Sequence, residues 1–427
     1  MSARPPVSRS GGLPHGLRAF RHRPFRRFYA GQTISVVGSW IQSIALSWLV
    51  YRLSGSASLL GLTAFLTQAP ILLLGPLAGT LADRLDRRRL LLAAQWALAL
   101  QAAVLGLSTL SGWHTVGWLL TMAGLQGLVA AFETPARQTF LGVLVPDRDD
   151  LPNAVALNSF LMNSGRLVGP TVAGLLLVAV GEGVCFLVNA VSFLAAIAAI
   201  AAAPAESRRD RARDLAGSGL LVGLAHAWHH PLPRRLLPAV ATVSFFASPY
   251  AALMPAVVRE SFGNSATLLG LLVGGAGLGG LAGTGALANW RSMTRLPLVT
   301  TVSCALAGAS LLAFSATRDP SLALACMPAL GFGIIATAAS VNMLLQWSTP
   351  ESLRGRIVSL YLASFLGMAP FGALAGGVLA DRFGVRPVLA GGGVACLLMA
   401  SWLAFGSGAG AVGANLADGA SRSRSTR

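Results

Sequence analysis

The stretch Gly75 to Arg89, GPLAGTLADRLDRRR, ends an apolar run and begins a charged one. From Ala64 to Leu81 only Thr67, Gln68 and Thr80 are polar; then six of the seven residues from Asp83 to Arg89 carry charge. An apolar run long enough to cross a bilayer, ended at once by arginines, is the pattern of a membrane-spanning helix meeting the cytoplasmic surface. Outward from this stretch in both directions, the pattern recurs along the chain.

Of the 427 residues 54% are hydrophobic and 11% charged, with a mean hydropathy of +0.66. Soluble domains carry roughly 25% charged residues, so a large soluble protein is excluded. The 49 glycines and 22 prolines would damage soluble helices but are tolerated in membrane bundles that need close packing. The apolar runs are continuous rather than alternating, which excludes a β-barrel. The net charge of +17 would suit nucleic acid, yet every basic residue is Arg and most lie between apolar runs, where they act as topology determinants. No nucleic-acid partner is expected. Cys185, Cys304, Cys326 and Cys396 lie inside apolar runs and read as core residues, so neither a metal site nor another cofactor is expected. Residues Met1 to Arg27 are polar and Arg-rich, and the apolar run that follows is too long for a cleaved signal, so the first helix is expected to stay as an anchor. Arginine-only basic usage with abundant Ala and Gly suggests a bacterial, GC-rich source.

Twelve apolar segments are predicted, the first Phe28–Tyr51 and the last Pro387–Phe405. With the N-terminus placed in the cytoplasm, 25 arginines fall on the cytoplasmic side and 5 on the other, with Arg137 and Arg166 inside helices. Both termini are therefore expected in the cytoplasm of a multi-pass protein of the cell membrane. The fold expected is all-α: twelve transmembrane helices in two pseudo-symmetric six-helix bundles. Residues 1–27 form a tail, 28–203 the first bundle, 204–235 a linker, 236–405 the second bundle, and 406–427 a flexible tail. A weak repeat supports the division, since Gly169, Pro170 and Gly174 are echoed by Pro370, Gly372 and Gly376 about half a chain later.

In the opening stretch, Asp83 beside Arg84, Arg87 and Arg88 can pair with arginines or with a neighbouring helix N-terminus, latching the bundle in one state. Gly75 and Gly79 form a small-xxx-small step suited to close packing. Ionisable groups at membrane depth are functional candidates, and Glu133, Arg137 and Arg166 are such groups. Glu133 can pair with Arg137 one turn away or with Arg166 on the next helix; released from a partner it could carry a proton. Gly169, Pro170 and Gly174 around Arg166 read as a hinge or tightly packed gate. Gln32, Gln42, Gln68, Gln126, Asn163 and Asn342 either line a central cavity or join helices. Trp40, Phe245, Phe246 and Tyr250 are aromatic cavity candidates or interfacial anchors. His226, His229 and His230 crowd the linker. No Walker loop, G-x-S-x-G or HExxH occurs, so enzyme chemistry is not expected.

With these residues in view, the chain resembles the major facilitator superfamily of transporters. Gly79, Asp83, Arg84, Arg87 and Arg88 match the family's signature between its second and third helices. Asp86 stands where a glycine is usual, a departure familiar from the branch of enterobactin exporters and macrolide-efflux-like proteins. TPARQTFLGVLVP at 134–146, LPNAVALNS at 151–159, GRLVGP at 165–170 and ADRFG at 380–384 extend the likeness. The resemblance implies export of drug-like, antibiotic or siderophore-like amphipathic molecules by alternating access, driven by proton antiport, with lipids as surroundings and a monomer as the working unit; the alternative is uptake, or movement of a lipid or other solute, without proton antiport. The acid that some drug exporters carry in their first helix is missing from Phe28–Tyr51, which leaves Glu133 and Arg166 as the coupling hypothesis.

Overall fold

Short, well-capped turns decide how this chain folds back and forth. The computed structural model describes residues 15–147, 149–204, 230–263, 265–290 and 292–406, and no strand occurs among them. Helix α1 (Arg23–Ser54) ends at Gly55, whose φ of 62° permits the left-handed cap, and its N–H bonds back to Tyr51 O at 2.8 Å. Helices α2 (Ala57–Arg84), α3 (Arg87–Leu110) and α4 (Val116–Leu144) follow. Asp86 and Thr115 start α3 and α4 by accepting from the N–H groups of Arg89 and Trp118. The helical stretch Leu151–Ala201 holds 51 residues, twice what a bilayer needs, and is interrupted at Gly181, where φ 76° and ψ 175° suit only glycine. It is two spans, α5 (151–180) and α6 (182–201).

Helix α7 (Pro231–Ser261) contains a π turn at Val243–Ala247. Helices α8 (Ala266–Ala288), α9 (Leu296–Ala316) and α10 (Pro320–Ser348) are continuous. Helix α11 is made of Glu351–Phe365 and Met368–Phe383, and α12 is Val385–Gly406. Among the described residues eleven helical stretches are long and apolar enough to span a membrane, and the doubled one brings the spans to twelve.

In the first half α1 packs on α5 and α6, α3 on α6, and α2 on α4; in the second α10 packs on α8 and α9, and α9 on α12. Two seams join the halves, α5 against α8 and α2 against α11. The α5–α8 seam is set by glycine: a Cβ on Gly174 would lie 2.7 Å from Ala266 O and 3.0 Å from Gly270 Cα. Without a hydrophobic driving force between helices in lipid, this closeness is what lets dispersion hold the seam.

Helix α1 begins five residues before Phe28, because Phe25 and Phe28 are buried with Phe140 and Leu144 and draw the preceding turn in. A 3-10 turn, His15–Arg21, precedes it, so the second part of the expected tail is folded. Helix α7 likewise begins at Pro231, inside the expected linker. Residues 205–229 of that linker, with His226 and His229, and residues 407–427 lie outside the described residues.

Candidate functional site

Between the helices of the first half lies a layer of side-chain amides. Gln42 on α1 donates through Nε2 to Gln101 Oε1 on α3 at 3.1 Å and to Gln126 Oε1 on α4 at 3.0 Å, and accepts from Asn189 Nδ2 on α6 at 2.9 Å. Gln101 in turn donates to Met122 O. In a low-dielectric interior such a layer fixes four helices relative to one another. Gln42 thus joins helices in this structure rather than lining an open space. Gln32 is also buried, and its Nε2 finds no partner among the described residues. Asn163 and Asn342 bond within their own helices, to Ser159 O and from Gln346 Nε2. Gln68, on α2, is exposed.

The membrane-depth acid has a partner. Glu133 Oε1 lies 2.9 Å from Arg137 Nε and accepts from Gln95 Nε2 at 3.3 Å. Its residue is only 9% exposed. Of the two pairings open in the sequence, the one-turn pair on α4 is the one formed. Arg137 also reaches Met162 Sδ on α5.

Arg166 sits midway along α5, exposed, its guanidinium 6.0 Å from the Trp40 ring centroid. Pro170 has no N–H to return to the Arg166 carbonyl. That carbonyl instead meets α8 at Gly277, where a Cβ would come within 2.4 Å. Gly169 is pressed against Trp40, which a Cβ there would approach to 2.2 Å. The GRLVGP segment is therefore a close-packed crossing of α5 with α1 and α8.

Two further interruptions face one another in the second half. Pro249 removes the N–H that would bond Phe245 O, and the π turn forms just before it; Pro370 does the same to Leu366 in α11. Ser244 Oγ donates to Phe365 O, joining the two interruptions. Gly372 accommodates the freed Phe245 carbonyl, which would lie 2.1 Å from a Cβ. Phe245 and Phe246 stack edge to face at 4.9 Å, with Phe246 exposed and Tyr250 half-buried just beyond. Discontinuous helices of this kind mark binding regions in transporters. The sequence signal is the pair of prolines, of which the internal repeat singles out only Pro370.

The face that carries the α1–α2 turn is held shut by contacts between the halves. Asp381, at the end of α11, accepts from Ala57 N at 2.6 Å, Ser56 Oγ at 2.7 Å and Ser58 N at 3.1 Å. It caps α2 from the other half of the molecule, where unpaired N–H groups and the helix dipole favour an anion. Nearby, Tyr51 Oη donates to Glu260 Oε1 at 2.9 Å, and Arg259 donates to the carbonyls of Tyr51 and Arg52. The sequence marks Asp381 only within ADRFG at 380–384, and Tyr51, Arg259 and Glu260 not at all as site residues. The signal was there: GTLADR at 79–84 recurs as GVLADR at 377–382, at the ends of the two helices that share a seam.

At the arginine-rich face the geometry differs. A Cβ on Gly75 or Gly79 would meet nothing within 4 Å, so the close packing expected of them is not made in this state. The side chains of Asp83 and Arg84 lie outside the described residues. Arg87 opens α3, while Arg88 donates to Ile200 O at 3.2 Å and to Ala201 O, capping the end of α6. Asp150, before α5, is buried against the N-terminal turn, with Arg21 Nη2 at 3.2 Å and His22 Nε2 at 3.1 Å. Burial pushes its carboxyl up, but the hydrogen bond with His22 and the charges of Arg21, His22 and Arg18 outweigh it and hold it below the ordinary carboxylate range. Asn153 fastens the same turn through Gly16 O and Ala19 N. Among the described residues no group of acids, His and Cys could hold a metal ion.

Twelve apolar spans in two halves, with broken helices and few buried charges, define a multi-pass membrane transporter. A family model described as transmembrane secretion effector matches residues 15–410, and the chain belongs to this family of the major facilitator superfamily. The staphyloferrin A transporter of Staphylococcus aureus is 26% identical over 361 residues, 84% of this chain and 90% of that protein. The multidrug efflux pump Tap of Mycolicibacterium fortuitum is 28% identical over 362 residues, 82% and 87% of the two chains. Among solved structures, a bacterial homologue of the human lysosomal transporter Spinster, in an inward-facing and occupied conformation, shares the fold with a TM-score of 0.70 at 15% identity. That match covers 93% of this chain and 98% of the other.

Proposed function

We propose that this protein exports small amphipathic molecules from the cytoplasm by alternating access, as a monomer coupled to proton entry. The observation that carries the reading is the asymmetry between the two faces. Asp381 clasps the halves together at one face, whereas at the arginine-rich face a Cβ on Gly75 or Gly79 of α2 would meet nothing within 4 Å. The arginine bias puts that open face in the cytoplasm, with both termini. The state is then inward-facing, ready to load from inside.

Efflux as the direction is supported by the kinship with Tap. The substrate would meet Trp40, Arg166, Phe245, Phe246 and Tyr250, together with Gln68 and Asn342. Glu133 is the candidate proton carrier, because it is a buried acid at membrane depth whose partner, Arg137, could release it. Asp83 would serve at the cytoplasmic face as Asp381 does at the other, latching the outward-facing state with Gly75 and Gly79 drawn into contact. Accumulation of ethidium and of fluorescein in cells with and without the protein, under imposed and collapsed pH gradients, tests the reading. Lower, gradient-dependent accumulation of at least one dye is expected; equal or higher accumulation of both in expressing cells overturns export.

A further inference from the structure

Among the described residues Arg166 is a cation at membrane depth without a counter-charge. Arginines at membrane depth face a cavity or the bundle interior and pair with carboxylates or carbonyls wherever they can. The nearest candidate acid in the sequence, Glu133, is committed to Arg137 at 2.9 Å and to Gln95. Among the described residues Arg166 has no carboxylate within ion-pair distance; its contact is the face of Trp40, 6.0 Å away.

The surroundings say where the guanidinium is exposed. On one side of Arg166, α5 is in contact with α1 through Gly165 and Gly169, which lie against Val36 and Trp40. On the other, the Arg166 backbone touches Gly277 of α8. Tyr250, on α7 across the divide between the halves, lies within electrostatic reach of the Arg166 charge. A position enclosed by α1, α7 and α8 faces the space between the two halves and not the lipid.

We infer that Arg166 and Trp40 form a substrate subsite for an anionic group attached to an aromatic or apolar body. Arg166 supplies up to five N–H donors in a fork that matches a carboxylate or sulfonate, and Trp40 a flat apolar surface beside it. The substrate would itself be the missing counter-charge. This assignment rests on the export reading and names one chemical class within it.

Two xanthene dyes of like shape and opposite charge, fluorescein and rhodamine 6G, separate the possibilities in proteoliposomes. Wild type should move fluorescein. Arg166→Gln should weaken its apparent affinity about tenfold or more, the loss of a charge-assisted pair, and should strengthen that for rhodamine 6G, whose positive charge the guanidinium repels. Arg166→Lys should recover most of the fluorescein transport and confirms that the protein is folded. If Arg166→Gln lowers both dyes equally while Arg166→Lys is active, the residue gates the carrier and the subsite is overturned. Wild type that moves rhodamine 6G and not fluorescein overturns the subsite and leaves export standing. Wild type that moves neither dye overturns the subsite for this class, and the ethidium measurement then judges export separately.

Discussion

Asp381 Oδ1 lies 2.6 Å from the backbone nitrogen of Ala57, so the last turn of α11 caps the first turn of α2 from the opposite half of the molecule. A capping carboxylate is ordinarily local to its helix. Here the cap is given by the other half of the molecule, and on the proposed alternating-access reading it would be a clasp for one state.

Replacing this carboxylate should release the clasp. Asp381→Asn keeps the shape and removes the charge; with partly exposed partners, the loss is about 1–2 kcal/mol, or roughly a tenfold shift in the balance between states. Labelling of a cysteine introduced at Ser58 should rise in the variant. Unchanged labelling together with unchanged transport would show that the clasp does not bias the cycle.

Glu133→Gln retains hydrogen bonding to Gln95 and Arg137 but cannot release a proton. In sealed vesicles it should abolish transport driven by a pH gradient, while exchange of substrate without a gradient persists. Full gradient-driven efflux by this variant rules Glu133 out as the proton carrier.

The glycines of the two seams should respond in opposite ways. Gly174→Val forces α5 from Gly270 and should destabilise the fold by about 1–3 kcal/mol, visible as an earlier thermal transition in detergent. Gly75→Ala meets open space in this state and should leave that transition in place. Its effect belongs to the state in which the arginine-rich face closes, and should appear as slower transport.

Gln42→Leu breaks three amide contacts at once. Interhelical hydrogen bonds in membranes contribute about 0.6 kcal/mol each and at most about 1.7, so a loss of roughly 2–4 kcal/mol is expected in total. Thermal unfolding of the purified protein reads this directly, with Gln68→Leu as the exposed control.

Acid should loosen the N-terminal turn through Asp150. Its carboxyl titrates below the ordinary value in the folded protein, so its stabilising contribution is complete above that ordinary value and is lost as pH falls through the folded one. The thermal transition should fall between about pH 4 and pH 2. Asp150→Asn should lower it at neutral pH and flatten that acid dependence.

Local chemistry governed most of what was legible in advance. Continuous apolar runs cannot be satisfied in water, and arginines cannot cross the bilayer cheaply, so the spans, their number and the arginine-rich face follow from residue order alone. Pro170 and the small residues around it announced a close crossing for the same reason, since a missing N–H and a missing Cβ are properties of single residues. Membership of the superfamily was legible in Gly79, Asp83, Arg84, Arg87 and Arg88.

Pairing was decided by the tertiary structure. Glu133 had two arginines within reach of its sequence, and only the packing of α4 and α5 selected Arg137. Gln42 and Gln68 look alike in an apolar run, yet one is buried among three amides and the other is exposed, because helix rotation is set by neighbouring helices. The clasp of Asp381 on Ala57 joins residues 324 positions apart. No local pattern carries that distance; it exists because two half-bundles meet along α2 and α11, and the free energy of that meeting depends on every contact in the seam at once.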